Sequence, residues 1–105
     1  MAPIVDSKVP PARQARRIYV VGQVQGVGYR YFARDAAEKI GLGGYVRNLP
    51  DGRVEVYAIG SHAQLDHLVA ELRRGPRHAF VEGVVIEEAE LFPEFASTFA
   101  IELGD

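Results

Sequence analysis

Apolar side chains recur along this chain with two different periods. From Arg17 to Val24 they alternate, with Ile18 and Val20 to one side and Arg17 and Tyr19 to the other. Alternation of this kind marks a strand with one buried face. From Tyr29 to Ile40 the period lengthens, and Phe32, Ala33, Ala36, Ala37 and Ile40 fall in one stripe at helical spacing. Gly41 follows as a stop for that helix. Gly44 to Asn48 reads as a second, short strand. Leu49-Pro50-Asp51-Gly52 has the chemistry of a tight hairpin turn. Arg53 to Ile59 reads as a third strand, with Val54, Val56 and Ala58 on one face and Gly60 breaking it. Ser61 and Gln64 have capping-box spacing. They open a helix whose stripe is Leu65, Leu68, Val69 and Leu72, and Gly75-Pro76 ends it. Ala79 to Glu88 is expected as a fourth strand, with imperfect alternation. Thr98 to Leu103 is expected as a short fifth, through Phe99, Ile101 and Leu103.

The order is β-α-β-β-α-β with an extra strand. It predicts an α+β fold, a ferredoxin-like sandwich: an antiparallel sheet with two helices on one face and a short extra strand. Met1 to Ala15 contains Pro3, Pro10 and Pro11 among small and polar residues. Residues 1–15 are expected to form a loose tail and residues 16–105 a single domain.

Composition narrows the chemistry. The chain of 105 residues has no cysteine, which excludes disulfides and thiolate metal sites. No apolar run approaches the ~18 residues needed to span a bilayer. Met1 to Arg13 lacks the apolar core of a signal peptide, and a cytoplasmic location is expected. The net charge of −2 is unevenly spread, with nine basic and four acidic side chains in residues 1–53 against three and ten in residues 54–105. That split suits a mildly positive mouth for a small anion better than a nucleic-acid stripe. His62 and His67 are five apart and miss the shared-face spacing of metal-binding pairs, so no metal site is expected.

The candidate chemistry lies where the first strand turns into the first helix. Gln25, Gly26, Val27, Gly28, Tyr29 and Arg30 form a glycine-spaced turn with an arginine at the helix opening. Free N–H groups at a helix start and the helix dipole favour an anion there. Glycines let successive N–H groups converge, and the arginine fork fits two phosphate oxygens. A cation alone at that position would oppose the dipole. In the expected topology the first two strands are parallel with the third between them, and both end on one edge of the sheet. Asn48, at the end of the second strand, then faces the turn across two inter-strand steps, on the order of 10 Å.

Val-Gln-Gly-Val-Gly-Tyr-Arg at 24–30, Gly-Leu-Gly-Gly-Tyr-Val-Arg-Asn at 41–48, Asp-Gly-Arg-Val-Glu at 51–55 and Gly-Pro at 75–76 together resemble the acylphosphatase family in order and spacing. The resemblance runs from about Arg16 to Leu103. It implies the ferredoxin-like sandwich and hydrolysis of the carboxyl–phosphate bond of acyl phosphates, with no metal and no organic cofactor. It also implies phosphate binding by Gln25 to Arg30, with Arg30 and Asn48 catalytic. The implied partners are a small acyl phosphate and inorganic phosphate, with no nucleic acid and no membrane, and a monomer is expected. Tyr45 stands where the family usually has tryptophan, which is expected to alter packing and leave the chemistry intact.

Two other functions fit the same fold. One is an RNA-binding domain that stacks bases on the sheet face. Gly26 to Phe32 superficially resembles the signature of such domains, but Gln25 and Val27 replace its basic and aromatic residues, and the segment leads into a helix. The other is a non-catalytic phosphate sensor, which would bind phosphate and turn over nothing.

Overall fold

The computed structural model describes residues 12–103. Strand β1 (Gln14–Gln23), helix α1 (Tyr29–Ile40), strands β2 (Gly43–Asn48) and β3 (Val54–Gly60), helix α2 (His62–Arg74) and strand β4 (Phe80–Ala89) follow in order. A 3₁₀ turn at Pro93–Phe95 then leads to strand β5 (Phe99–Ile101). The strands lie side by side as β4-β1-β3-β2-β5. β1 is antiparallel to both β3 and β4, and β3 to β2. β1 and β2 therefore run parallel, with β3 between them, as the sequence pattern requires.

Both helices pack on one face. The sheet contributes Ile18, Val20, Val46, Val54, Val56 and Ala58, all 0% exposed, against Ala33 and Ala37 of α1 and Leu65, Leu68 and Leu72 of α2. At ~1.5–3 kcal/mol for each fully buried aliphatic side chain larger than alanine, this dry layer supplies most of the driving force. It also fixes which face of every element looks inward, and so where each strand end points.

Three features differ from the sequence reading. The sheet is mixed: β5 joins the outer edge of β2 in parallel, pairing Gly44 with Phe99 and Val46 with Ile101. The chain reaches that edge by crossing beneath the sheet from β4, and it arrives running the same way as β2. Second, β1 begins at Gln14, so Gln14 and Ala15 belong to the sheet and not to a tail. Ala15 pairs with Ile59 and Ala89, and is buried. Of the rest of the expected tail, Ala12 and Arg13 precede the strand without regular structure, and Met1 to Pro11 lies outside the described residues.

Third, β3 is buried on both faces. Away from the helices, Ala15, Tyr57 and Ile59 lie under a strap containing Leu91, Phe92, Phe95 and Ala96. The Tyr57 hydroxyl donates to Glu90 O at 2.6 Å and accepts the Phe92 N–H at 2.9 Å, which pins the strap down. Glu55 is also buried on this face, and its carboxylate accepts from Arg47 Nε at 2.8 Å and from the Tyr45 hydroxyl at 3.1 Å. Arg17 Nε stands 3.9 Å away. A buried carboxylate needs such partners. Tyr45 stacks on Tyr57 with ring centroids 5.4 Å apart, so the position expected to alter packing carries a hydroxyl that holds Glu55.

Candidate active site

The end of β1 pairs irregularly with β4: Val21 faces Gly83 and Gly22 faces Val81, which leaves Glu82 as the extra residue of a bulge in β4. A side chain at Gly22 would place its Cβ 2.1 Å from Phe80 O, so the backbones touch there.

Beyond β1, Gly26 and Gly28 have φ of 75° and 79°, while Val27 between them keeps a negative φ. Alternation of hand along consecutive residues turns their N–H groups toward one side and makes a concave anion seat. A Cβ at either glycine would meet nothing within 4 Å. Glycine is needed there for conformation, not for space. Among the described residues, the amides of Gln25, Gly26, Val27, Gly28, Tyr29 and Arg30 find no backbone acceptor. Gly28 is the N-cap of α1 and offers no side chain to cap it, and no acidic residue lies in the first turn. Arg30, in that turn, makes no ion pair among the described residues. Free donors, the positive end of a dipole and an unpaired guanidinium thus meet at one place.

Asn48, the last residue of β2, arrives at the same place. Gly26, Gly28, Tyr29, Arg30 and Asn48 line one cavity of about 210 Å³ together with Val24 and Tyr31. The Asn48 Oδ1 is buried without a hydrogen-bond partner among the described residues. An orphan acceptor costs roughly 1–3 kcal/mol, and an O–H group held in the cavity would relieve that cost. Among the described residues, no carboxylate lines the cavity.

A roomier groove of about 370 Å³ runs between the two helices, lined by Phe32, Ala36 and Ile40 with Asp35, Lys39, His67, Glu71 and Arg74. It has charges of both signs and no convergent backbone donors, so volume alone does not mark the site.

Not every predicted residue turns its side chain to the cavity. Gln25 points away, and its Nε2 donates to Leu49 O at 2.8 Å and to Arg53 O at 2.9 Å. Val27 packs against the core. Only the backbone N–H of these two can serve a ligand. Tyr29 is fully buried, and its hydroxyl donates to Leu72 O at 2.6 Å, tying the start of α1 to the end of α2. Burial pushes its phenol well above the ordinary tyrosine range, so it stays neutral and acts as an anchor. Tyr31 is 59% exposed at the cavity lining, with the Arg34 guanidinium 5.3 Å from its ring centroid. Sequence periodicity misses its place there because it lies on the polar side of the helix.

Comparison with known proteins identifies the family and the fold. The Acylphosphatase family profile matches residues 16–101. An acylphosphatase of Solibacter usitatus is 55% identical over 85 residues, covering 81% of this chain and 88% of that protein. The crystal structure of acylphosphatase from Bacillus subtilis superposes with a TM-score of 0.79 at 36% identity, covering 84% of this chain and 97% of that one. Full-length HypF, in a phosphate- and nucleotide-bound form, superposes with a TM-score of 0.83 at 28% identity over 95% of this chain, which corresponds to 13% of HypF. The chain belongs to the acylphosphatase family.

Proposed function

We propose that this protein hydrolyses the carboxyl–phosphate bond of small acyl phosphates, releasing a carboxylate and inorganic phosphate. Arg30 and the amides of Gln25 to Arg30 hold the phosphoryl oxygens, and Asn48 orients the attacking water. Water oxygen attacks phosphorus, the P–O bond to the acyl group breaks, and the bonding pair leaves on the carboxylate. A carboxylate needs little protonation to leave, so no general acid is required. Since no carboxylate among the described residues lines the cavity, the proton of water passes to a phosphoryl oxygen of the substrate. Positioning and preorganised charge then carry most of the rate enhancement.

The observation that carries this reading is the pairing of the amides of Gln25 to Arg30 and the Arg30 guanidinium with the Asn48 Oδ1 around one small cavity, all without partners among the described residues. The first set fits a phosphoryl group, and the second fits a water O–H. The protein is read as a cytoplasmic monomer acting on small molecules. RNA binding is disfavoured because the helix-free sheet face, where bases would stack, is partly roofed by the strap around Leu91 to Ala96 and carries the buried carboxylate of Glu55.

Assay of a small aryl acyl phosphate against a phosphate monoester, with chelator present, tests the reading. Wild type should cleave the acyl phosphate alone, and Arg30→Ala should not. Phosphate-dependent thermal stabilisation without turnover would instead establish a phosphate sensor.

A further inference from the structure

We infer that Gln25 is a positioning residue, whose side chain sets the distance between the phosphate seat and the asparagine that aims the water. The inference rests on the roles proposed for Arg30 and Asn48. Its starting point is that the Gln25 amide spends both donors on the neck of the β2–β3 hairpin. Nε2 reaches Leu49 O at 2.8 Å and Arg53 O at 2.9 Å. These are the two carbonyls that close the hairpin. Leu49 N–H donates to Arg53 O at 2.8 Å, and Gly52 N–H donates to Leu49 O at 3.1 Å. Leu49 directly follows Asn48, and Gln25 itself begins the glycine turn.

One side chain therefore joins the two halves of the site. Among the described residues, Asn48 Oδ1 has no hydrogen-bond partner to locate it, and the hairpin turn beyond it is exposed at Pro50, Asp51 and Gly52. The ladder carries the Asn48 backbone as far as its pairing with Val54, where β2 ends. Past that point, the clamp from Gln25 ties Leu49 and Arg53 directly to the phosphate loop. Phosphate oxygens contact the amides of the loop itself. Loosening the clamp shifts Asn48 relative to a phosphoryl group that is still bound, and reaction depends steeply on such placement.

The test is a double-mutant cycle with inorganic phosphate as the probe of the seat. Gln25→Met keeps the volume and removes both donors, and Gln25→Ala serves as a second variant. We expect kcat to fall by roughly 10–10²-fold, the scale of an ångström-level misplacement. The inhibition constant of phosphate should move less than about threefold. In an Asn48→Ala background, removing Gln25 should cost almost nothing further, because residues acting as a unit are non-additive. Unchanged kcat overturns the inference. So does a phosphate constant that worsens in step with kcat, which would make Gln25 a folding element of the loop. An equal loss in both backgrounds, with Asn48→Ala itself slow, overturns the clamp and leaves the role of Asn48 standing. Full turnover by Asn48→Ala overturns both. Failure of both Gln25 variants to fold, even with saturating phosphate, assigns the two bonds to stability alone and overturns the inference as well.

Discussion

The two helices begin in opposite ways. At the start of α2, Ser61 Oγ accepts from Gln64 N–H at 3.2 Å and Gln64 Oε1 accepts from Ser61 N–H at 2.9 Å. Gln64 Nε2 also donates to Ile40 O at 3.1 Å, so the cap reaches across to α1. The protein completes this helix end with its own side chains. At the start of α1, Gly28 offers no cap, the adjacent amides find no acceptor among the described residues, and the first turn holds a cation where the dipole disfavours one. On the proposed reading, that end is completed by the bound phosphoryl group. The difference separates local stability from function: at one terminus the orphan donors of a helix are satisfied within the chain, and at the other they are left for a ligand.

The sharpest way to break the comparison is Arg30→Ala. Turnover should fall by at least ~10²–10³, the cost of losing one preorganised donor, while the melting temperature stays level or rises. A variant that loses activity by unfolding would contradict the open-terminus view. Next, inorganic phosphate at ~100 times its dissociation constant should stabilise wild type by about 2.7 kcal/mol. Arg30→Ala should lose most of that stabilisation, and thermal melts with and without phosphate read it directly. Gly28→Ala forces an L side chain into the left-handed region at φ 79° and should cost ~1–2 kcal/mol, with phosphate binding lost as the amides turn.

Ser61→Ala makes the matching change at the closed terminus. Its expected cost is ~1 kcal/mol in urea unfolding, with turnover of the folded enzyme unchanged. The smallest effect concerns Asp66, which holds α2 against β1 through Arg16 Nη1 at 2.7 Å. That hydrogen bond from Arg16 is the main reason its carboxyl lies below the ordinary aspartate range. A depressed folded-state value means the contribution is present above the unfolded value, ~3.9, and fades as pH falls through the folded one. Asp66→Asn should slightly flatten the acid limb of the stability curve, measured by urea midpoints between neutral and acidic pH.

The asymmetry of the two termini is legible in the sequence. Ser61 and Gln64 have the spacing of a reciprocal cap, and Gly26 and Gly28 precede Arg30 without any capping side chain. The helix-facing layer is equally readable, because Ile18, Val20, Val54 and Val56 alternate and Leu65, Leu68 and Leu72 recur at helical spacing. What periodicity misses depends on distant chain. Glu55 and Tyr57 occupy the polar phase of β3; the later strap covers Tyr57, and Tyr45 and Arg47 from β2 hold the buried Glu55. The parallel addition of β5 depends on where the strap emerges. Gln25 sits inside the anion-binding motif, yet its side chain serves the hairpin, a pairing set by three-dimensional proximity and by no local pattern.

The strand order has a consequence for how the chain finds this structure. Of the four pairings in β4-β1-β3-β2-β5, only β2–β3 joins strands that are neighbours in sequence. Every other pairing closes a longer loop before any contact rewards it. The Asp51-Gly52 hairpin is therefore the natural place for strand pairing to begin, and β1 must be recruited to it from across α1. Refolding should be slow for a chain of this size, in the millisecond-to-second range of non-local topologies. The phosphate seat, reached through β1, then takes its final position against Asn48 only after the hairpin that carries Asn48 exists.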